Sequence, residues 1–308
     1  MEPKLSLKEK IKQNRAGILL YGLTPPKVDL SEEGARALAQ KQLARLENTA
    51  IDGLVIYDLQ DESGRTGETR TFDFCGTLRP ELYWREYLHE AYDAVIYKAV
   101  GNYSAEEFAD FVANNSNLIS VFVGASSKND TPRLSLAQAY KIHRELASSL
   151  ALGGICIPER HVKKGDEDLR VAGKVAKGCE FFITQAVYNL ENAKRFIDDY
   201  AALSIRKVPI IFTFTPCGCE KTLAFMRWLG IDVPAYFEER LLGSSDPLET
   251  SVQLSLDMFD FLYKYGIAKG ISVGANVESI STRRVEIEAS IELLRGIRAI
   301  IDTTIERV

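Results

Sequence analysis

Short apolar runs rich in β-branched residues alternate with longer amphipathic stretches along the whole chain, and no linker or shift in composition interrupts the alternation. Runs that are apolar at consecutive positions, rather than at every second one, are how parallel strands read when both faces of the sheet are covered. Eight are predicted as strands: residues 17–21 (GILLY), 53–57 (GLVIY), 94–98 (AVIYK), 118–123 (LISVFV), 153–157 (GGICI), 181–185 (FFITQ), 208–214 (VPIIFTF) and 270–274 (GISVG). Helical spacing between them predicts helices over 31–47, 80–91, 104–114, 135–149, 166–178 and 190–203. The stretch 219–266 is too long for one helix, and Pro234 and Pro247 divide it into about three. Ser31, Ser104 and Asp246 stand where helix caps stand, with acids or a proline just behind them, because a short oxygen-bearing side chain can accept an orphan N–H of the first turn. An eightfold βα alternation predicts an α/β fold of the (β/α)8 TIM barrel type, a single domain over 1–308 with extra helices between strands seven and eight, the alternative being an open doubly wound sheet. The amphipathic segment 3–13 is predicted to lie across the bottom of the barrel.

With 46% hydrophobic and 26% charged residues, the chain of 308 can bury a large core, so disorder and low complexity are excluded. A net charge of −5 offers no polycation to neutralise phosphates, which points to small-molecule partners and no nucleic acid. No apolar run approaches the roughly 18–20 residues of a membrane helix, and the charged start lacks a signal-peptide core, so no membrane is involved and a cytoplasmic protein is expected. The five cysteines lack paired CxxC spacing, which argues against a disulfide framework or structural zinc. A homo-oligomer is compatible with the sequence, which leaves the subunit number open.

A barrel of this type builds its active site at the C-terminal ends of the strands. Tyr21, Tyr57, Tyr97 and Tyr188 fall at or just past predicted strand ends and suggest an aromatic wall able to stack a flat ring. Asp58 at the end of strand two is a candidate acid; with Asp61 and Glu62 it could hold Mg²⁺, although a loop containing Arg65 and Arg70 more often pairs or solvates its acids, and no metal is expected. Gly124 and Ser126 could cradle a phosphate or a carboxylate tail on backbone N–H groups. The Cys217-Gly218-Cys219 loop reads as pocket lining rather than as a redox pair.

Thr24-Pro25-Pro26 after strand one, the stretch Ile157-Pro158-Glu159-Arg160-His161, and the run from Lys174 to Gln185 (KVAKGCEFFITQ) together resemble the methylenetetrahydrofolate reductase family. Val233-Pro234-Ala235 and a last strand leading to Asn276 add to the resemblance. It implies a reductase of one-carbon metabolism and methionine biosynthesis, passing hydride from NAD(P)H through FAD to the methylene group of a folate. It also implies that Gln185 contacts the pterin, for which an amide offers both donor and acceptor, and that His161 and Lys174 contact a flavin. Asn276, with Tyr21, Tyr57 and Tyr188, completes the expected substrate contacts.

The chain departs from the family pattern where the chemistry should be. The glutamate that serves as general acid in the family falls on Gly22, and the acid near the flavin falls on Ala125 in Val123-Gly124-Ala125. Other flavin contacts fall on Tyr57, Tyr97 and Ile157, leaving Gly124, Ala125, Ser126 and Tyr97 as expected cofactor neighbours of altered character. Glu220, after strand seven, is the expected replacement acid, provided a partly apolar pocket raises its pKa; the alternative is an acid at a helix N-terminus. Reduction of a folate-bound methylene group by NAD(P)H, with or without FAD, is therefore the leading expectation. A folate-dependent one-carbon transferase and a non-catalytic folate-binding protein are the alternatives.

Overall fold

The computed structural model describes residues 5–60, 74–125, 131–146 and 148–305. Eight parallel strands, β1 (Leu19–Leu23), β2 (Gly53–Ile56), β3 (Ala94–Ala99), β4 (Ile119–Val123), β5 (Ala151–Cys156), β6 (Phe181–Ala186), β7 (Ile210–Phe214) and β8 (Val273–Glu278), pair in sequence order and close when β8 pairs with β1. Around them lie α1 (Leu7–Lys12), α2 (Glu32–Leu46), α3 (Pro80–Leu82), α4 (Ala105–Asn114), α5 (Leu136–Glu145), α6 (Pro158–Lys164), α7 (Glu167–Val175), α8 (Leu190–Ala202), α9 (Glu220–Trp228), α10 (Ala235–Leu242), α11 (Pro247–Ala268) and α12 (Arg284–Ile305). This is a (β/α)8 barrel. Among the described residues no helix is long and apolar enough to cross a membrane.

Alternate residues of each strand enter the barrel, and their neighbours face the helices. Ile18, Leu20, Val55, Val95, Val121 and Ile183 fill the lumen, and Leu7 and Ile11 of α1 pack against them from below, so α1 closes the bottom. Gly153 leaves room for this filling: a Cβ there would lie 2.4 Å from the Phe181 ring. Ser6, Ser104 and Ser135 head α1, α4 and α5 in full capping boxes with Glu9, Glu107 and Gln138. Ser31 and Asp246 cap α2 and α11 by accepting the N–H of Gly34 and Glu249.

Three stretches differ from the sequence reading. The expected helix 80–91 is the single turn α3 continued by a π-turn over Tyr83–Tyr87, stopped by His89 and Glu90 in the left-handed region with φ of 51° and 53°. The loop after β5 is helical as α6, and a long α12 follows β8. β1 begins two residues later than expected and β8 three residues later, and both extend further at their C-terminal ends.

The layer between strands and helices holds several buried polar groups. Lys98, 1% exposed, points outward from β3 and sets its ammonium 3.2 Å from each carboxylate oxygen of Glu81 and 3.9 Å from the centre of the Tyr103 ring. Glu159, in the first turn of α6, is buried, and neither carboxylate oxygen has a hydrogen-bond partner. Burial raises its pKa from 4.5 to about 7, with the negative charges of Asp232 and Glu167 adding to the effect. A carboxyl raised in the folded state favours folding below its ordinary pKa of 4.5, and that contribution is lost as pH rises through about 7. Glu159→Gln is therefore expected to stabilise the protein by about 1–3 kcal/mol near pH 8.5, with the gain vanishing near pH 5. Denaturant melts of both forms at the two pH values check this; an equal difference at both would contradict it.

Candidate functional site

The alternation that fills the lumen also decides which residues reach the mouth, at the C-terminal ends of the strands. Gly22 of β1, Tyr57 just past β2, Tyr97 of β3, Thr213 of β7, and Asn276 and Glu278 of β8 lie on the inward phase; Gln185 of β6 follows a shift of register between Ile183 and Ala186. Tyr57 and Tyr97 meet edge to face, with ring centroids 4.9 Å apart at 78°, and form an aromatic floor. Asn276 is completely buried; its Nδ2 donates to Tyr57 Oη at 3.0 Å and to Thr213 Oγ1 at 3.2 Å. The Thr213 hydroxyl gives its own proton to the Thr184 carbonyl at 2.8 Å, so it receives from Asn276 as an acceptor and the amide orientation is fixed. Gln185 is half-buried, and its Nε2 donates to the Leu229 carbonyl at 2.8 Å, which pins the amide plane to the link between α9 and α10.

Glu278 was not among the expected site residues. Its position pairs with Gly22 across the β1–β8 seam, and its carboxyl takes a hydrogen bond from the Tyr57 hydroxyl. Burial raises the pKa of this carboxyl, and the Tyr57 hydrogen bond pulls the other way. In turn, burial and the Glu278 charge push the Tyr57 and Tyr97 phenols well above their ordinary value. Gly22 is what makes the arrangement fit: a Cβ there would lie 2.9 Å from the Tyr57 ring and hydroxyl and 3.0 Å from Glu278 Cβ. The carboxyl expected on strand one is thus matched by one on the adjoining strand, in space that a side chain at position 22 would take.

Glu220 stands apart from these groups, exposed in the first turn of α9, where its place suits the helix dipole. Tyr21 lies one residue out of phase with Leu20 and Gly22; it faces α12, its hydroxyl 2.7 Å from Ser290 Oγ. Tyr188 is buried against Phe237, donates to the Thr215 carbonyl and presents no surface to the mouth. Asp58 accepts the Ala99 N–H and the Tyr103 hydroxyl, both at 2.9 Å, and so ties β2 to the turn after β3. His161 is buried beside Phe196 with Nε2 2.7 Å from Asp199 and Nδ1 3.5 Å from Asp168, in the layer of α6, α7 and α8. The Lys174 ammonium bonds the Ile155 carbonyl, and burial lowers its pKa against the pull of Glu167. Gly124 accepts from Gln60 Nε2 at 3.3 Å and Ala125 is exposed. Ser126, Asp61, Glu62, Arg65 and Arg70 lie outside the described residues. Of the cysteine loop, Cys217 is buried, and Glu286 of α12 accepts from the Gly218 N–H and the Thr222 hydroxyl, both at 2.9 Å, which holds the loop onto the barrel. Among the described residues no group of three His, Cys, Asp or Glu side chains is placed to hold a metal ion.

The mouth therefore offers an aromatic floor, a fixed amide and a carboxyl whose pKa burial raises, a set suited to a flat, hydrogen-bonding heterocycle. A family model for methylenetetrahydrofolate reductase matches residues 118–273. A protein from Clostridium thermocellum that binds two copies of 5-methyl-5,6,7,8-tetrahydrofolic acid has a solved structure 45% identical to this chain, with a TM-score of 0.85 and coverage of 96% of this chain and 99% of that one. Two remote barrels overlap far less well, and nothing about this chain's chemistry follows from them. One is a GH10 endoxylanase from a sugarcane soil metagenome (10% identity, TM-score 0.49, 94% and 99% covered). The other is 2,3-dimethylmalate lyase (9%, 0.46, 88% and 79%). No curated protein matches the chain. With the model spanning half of the sequence and the clostridial relative nearly all of it, the chain belongs to the methylenetetrahydrofolate reductase family.

Proposed function

We propose that the protein binds a reduced folate at the mouth of the barrel and reduces its methylene group to methyl with hydride taken directly from NAD(P)H. The observation that carries the reading is the 45% identical relative that binds two copies of 5-methyl-tetrahydrofolate. Here the pterin would lie on Tyr57 and Tyr97, with the Gln185 amide on its donor–acceptor edge. In this reading the nicotinamide stacks on the open face of the pterin. Hydride transfer between two stacked rings needs alignment and an electrostatic setting, and no protein nucleophile.

FAD, which the family resemblance implies, does not fit the residues present. Ala125 stands where an acid is expected, His161 is bonded through Nε2 to Asp199 inside the helical layer, and Lys174 is spent on a strand carbonyl. No step is assigned to a flavin. A second reading, a methyl transferase, is favoured by one observation: the ligand of the relative already carries the methyl group.

Two measurements test the proposal. Fluorescence titration is expected to show saturable binding of 5-methyl-tetrahydrofolate, weakened by about 1–3 kcal/mol, roughly ten- to a hundredfold, in Gln185→Ala. Oxidation of NADH or NADPH should depend on added methylene-tetrahydrofolate. Binding without that oxidation, together with methyl transfer to an acceptor, would favour the transferase; binding with neither would leave a folate-binding protein.

A further inference from the structure

Among the described residues, Glu278 is an inward-facing carboxyl at the mouth that neither the sequence expectation nor the family resemblance assigns. Glu278 ends β8, lies beside Gly22 in the pairing of β8 with β1, and keeps part of its surface open to the mouth. Around it the hydrogen bonds have a direction. Asn276 donates to Tyr57 Oη, so the Tyr57 proton is free to point at the Glu278 carboxyl. The phenols that face Glu278 are those of Tyr57 past β2 and Tyr97 on β3; Tyr21 and Tyr188, turned into the wall, feel its charge only at a distance.

We propose that Glu278 is the proton donor to the bound folate, held in place by Tyr57 and admitted by the absence of a side chain at Gly22. The assignment rests on the reading of the mouth as a reduced-folate site. Its step balances as follows. The Glu278 proton passes to the departing nitrogen of the methylene bridge, and the bond between that nitrogen and the methylene carbon breaks with its electron pair left on the nitrogen. The lone pair of the other bridge nitrogen forms the iminium. Hydride from the dihydronicotinamide, bringing two electrons, converts the iminium to N-methyl and leaves oxidised nicotinamide; the Glu278 carboxylate takes a proton back from water at the mouth. Glu278 is thus a catalytic residue, and Tyr57 and Asn276 are positioning residues. Burial, which raises the Glu278 pKa, keeps the proton available closer to neutral pH.

The iminium step can be read without hydride transfer, as exchange of ¹³C-formaldehyde into methylene-tetrahydrofolate above the uncatalysed background. Both this exchange and nicotinamide oxidation are measured across pH for the unmodified protein, Glu278→Gln and Tyr57→Phe, with 5-methyl-tetrahydrofolate affinity as the control for folding and binding. Glu278→Gln is expected to bind the methyl-folate yet lose both reactions by about 10²–10⁴-fold. The unmodified protein should lose rate as pH rises through the Glu278 pKa. Tyr57→Phe, deprived of a hydrogen bond that favours the carboxylate, should shift that alkaline limb upward.

Exchange without nicotinamide oxidation in the unmodified protein would sink the reductase reading and sustain Glu278. Exchange in Glu278→Gln within about threefold of the unmodified protein would overturn Glu278 and leave the reductase standing. So would loss of methyl-folate binding together with exchange in that variant, which would make Glu278 a binding group. No exchange by the unmodified protein would overturn the assignment. Should Glu278→Gln fail to fold, an alkaline limb left unmoved in Tyr57→Phe would overturn it as well.

Discussion

Closing eight parallel strands on themselves sends every second side chain into a lumen too narrow to hold anything but well-fitted groups. At the bottom those groups are aliphatic and are capped by Leu7 and Ile11 of α1. At the top the same phase delivers Tyr57, Tyr97, Asn276 and Glu278 to one space. The site thus depends on register: a slip of one residue in β8 would turn Asn276 and Glu278 into the helical layer and bring Val277 inward.

The polar groups of this protein divide by that phase. Outward ones act as braces: Lys98 with Glu81 holds α3 to β3, His161 joins α6 to α8 through Asp199, and Glu286 clamps the loop after β7. Inward ones remain adjustable, because a ligand can share their hydrogen bonds. The exchange between positions 22 and 278 is where the two strands trade roles. A glycine on β1 and a glutamate on β8 occupy the volume that two facing side chains could not share, so glycine at position 22 and an acid at the mouth are compatible.

Much of the fold was legible in the sequence because the apolar runs of buried parallel strands and the serine caps are local signals. All eight strands begin within three residues of their expected starts, and the helices of 219–266 divide as Pro234 and Pro247 foretold. The site was less legible, because inward or outward phase depends on where a strand ends, and ends are weakly marked. Ending strand one at Tyr21 placed that ring at the mouth, whereas the strand runs on to Leu23 and the ring faces α12. Ending strand eight at Gly274 hid Glu278 in a presumed loop. The tail VGANVE alternates small or polar with apolar residues, and a period-two reading carried past Gly274 could have found it. His161 and Lys174 show the reverse limit: motif spacing cannot see the Asp199 carboxylate and the Ile155 carbonyl to which they are bonded.

The most direct measurement is a crystal structure with 5-methyl-tetrahydrofolate bound. The pterin is expected on the Tyr57 and Tyr97 floor, with its amide edge on Gln185 and a ring or bridge nitrogen within hydrogen-bond reach of Glu278. A folate bound elsewhere on the barrel, or in the mouth with Glu278 turned away from every folate nitrogen, would contradict the site as described.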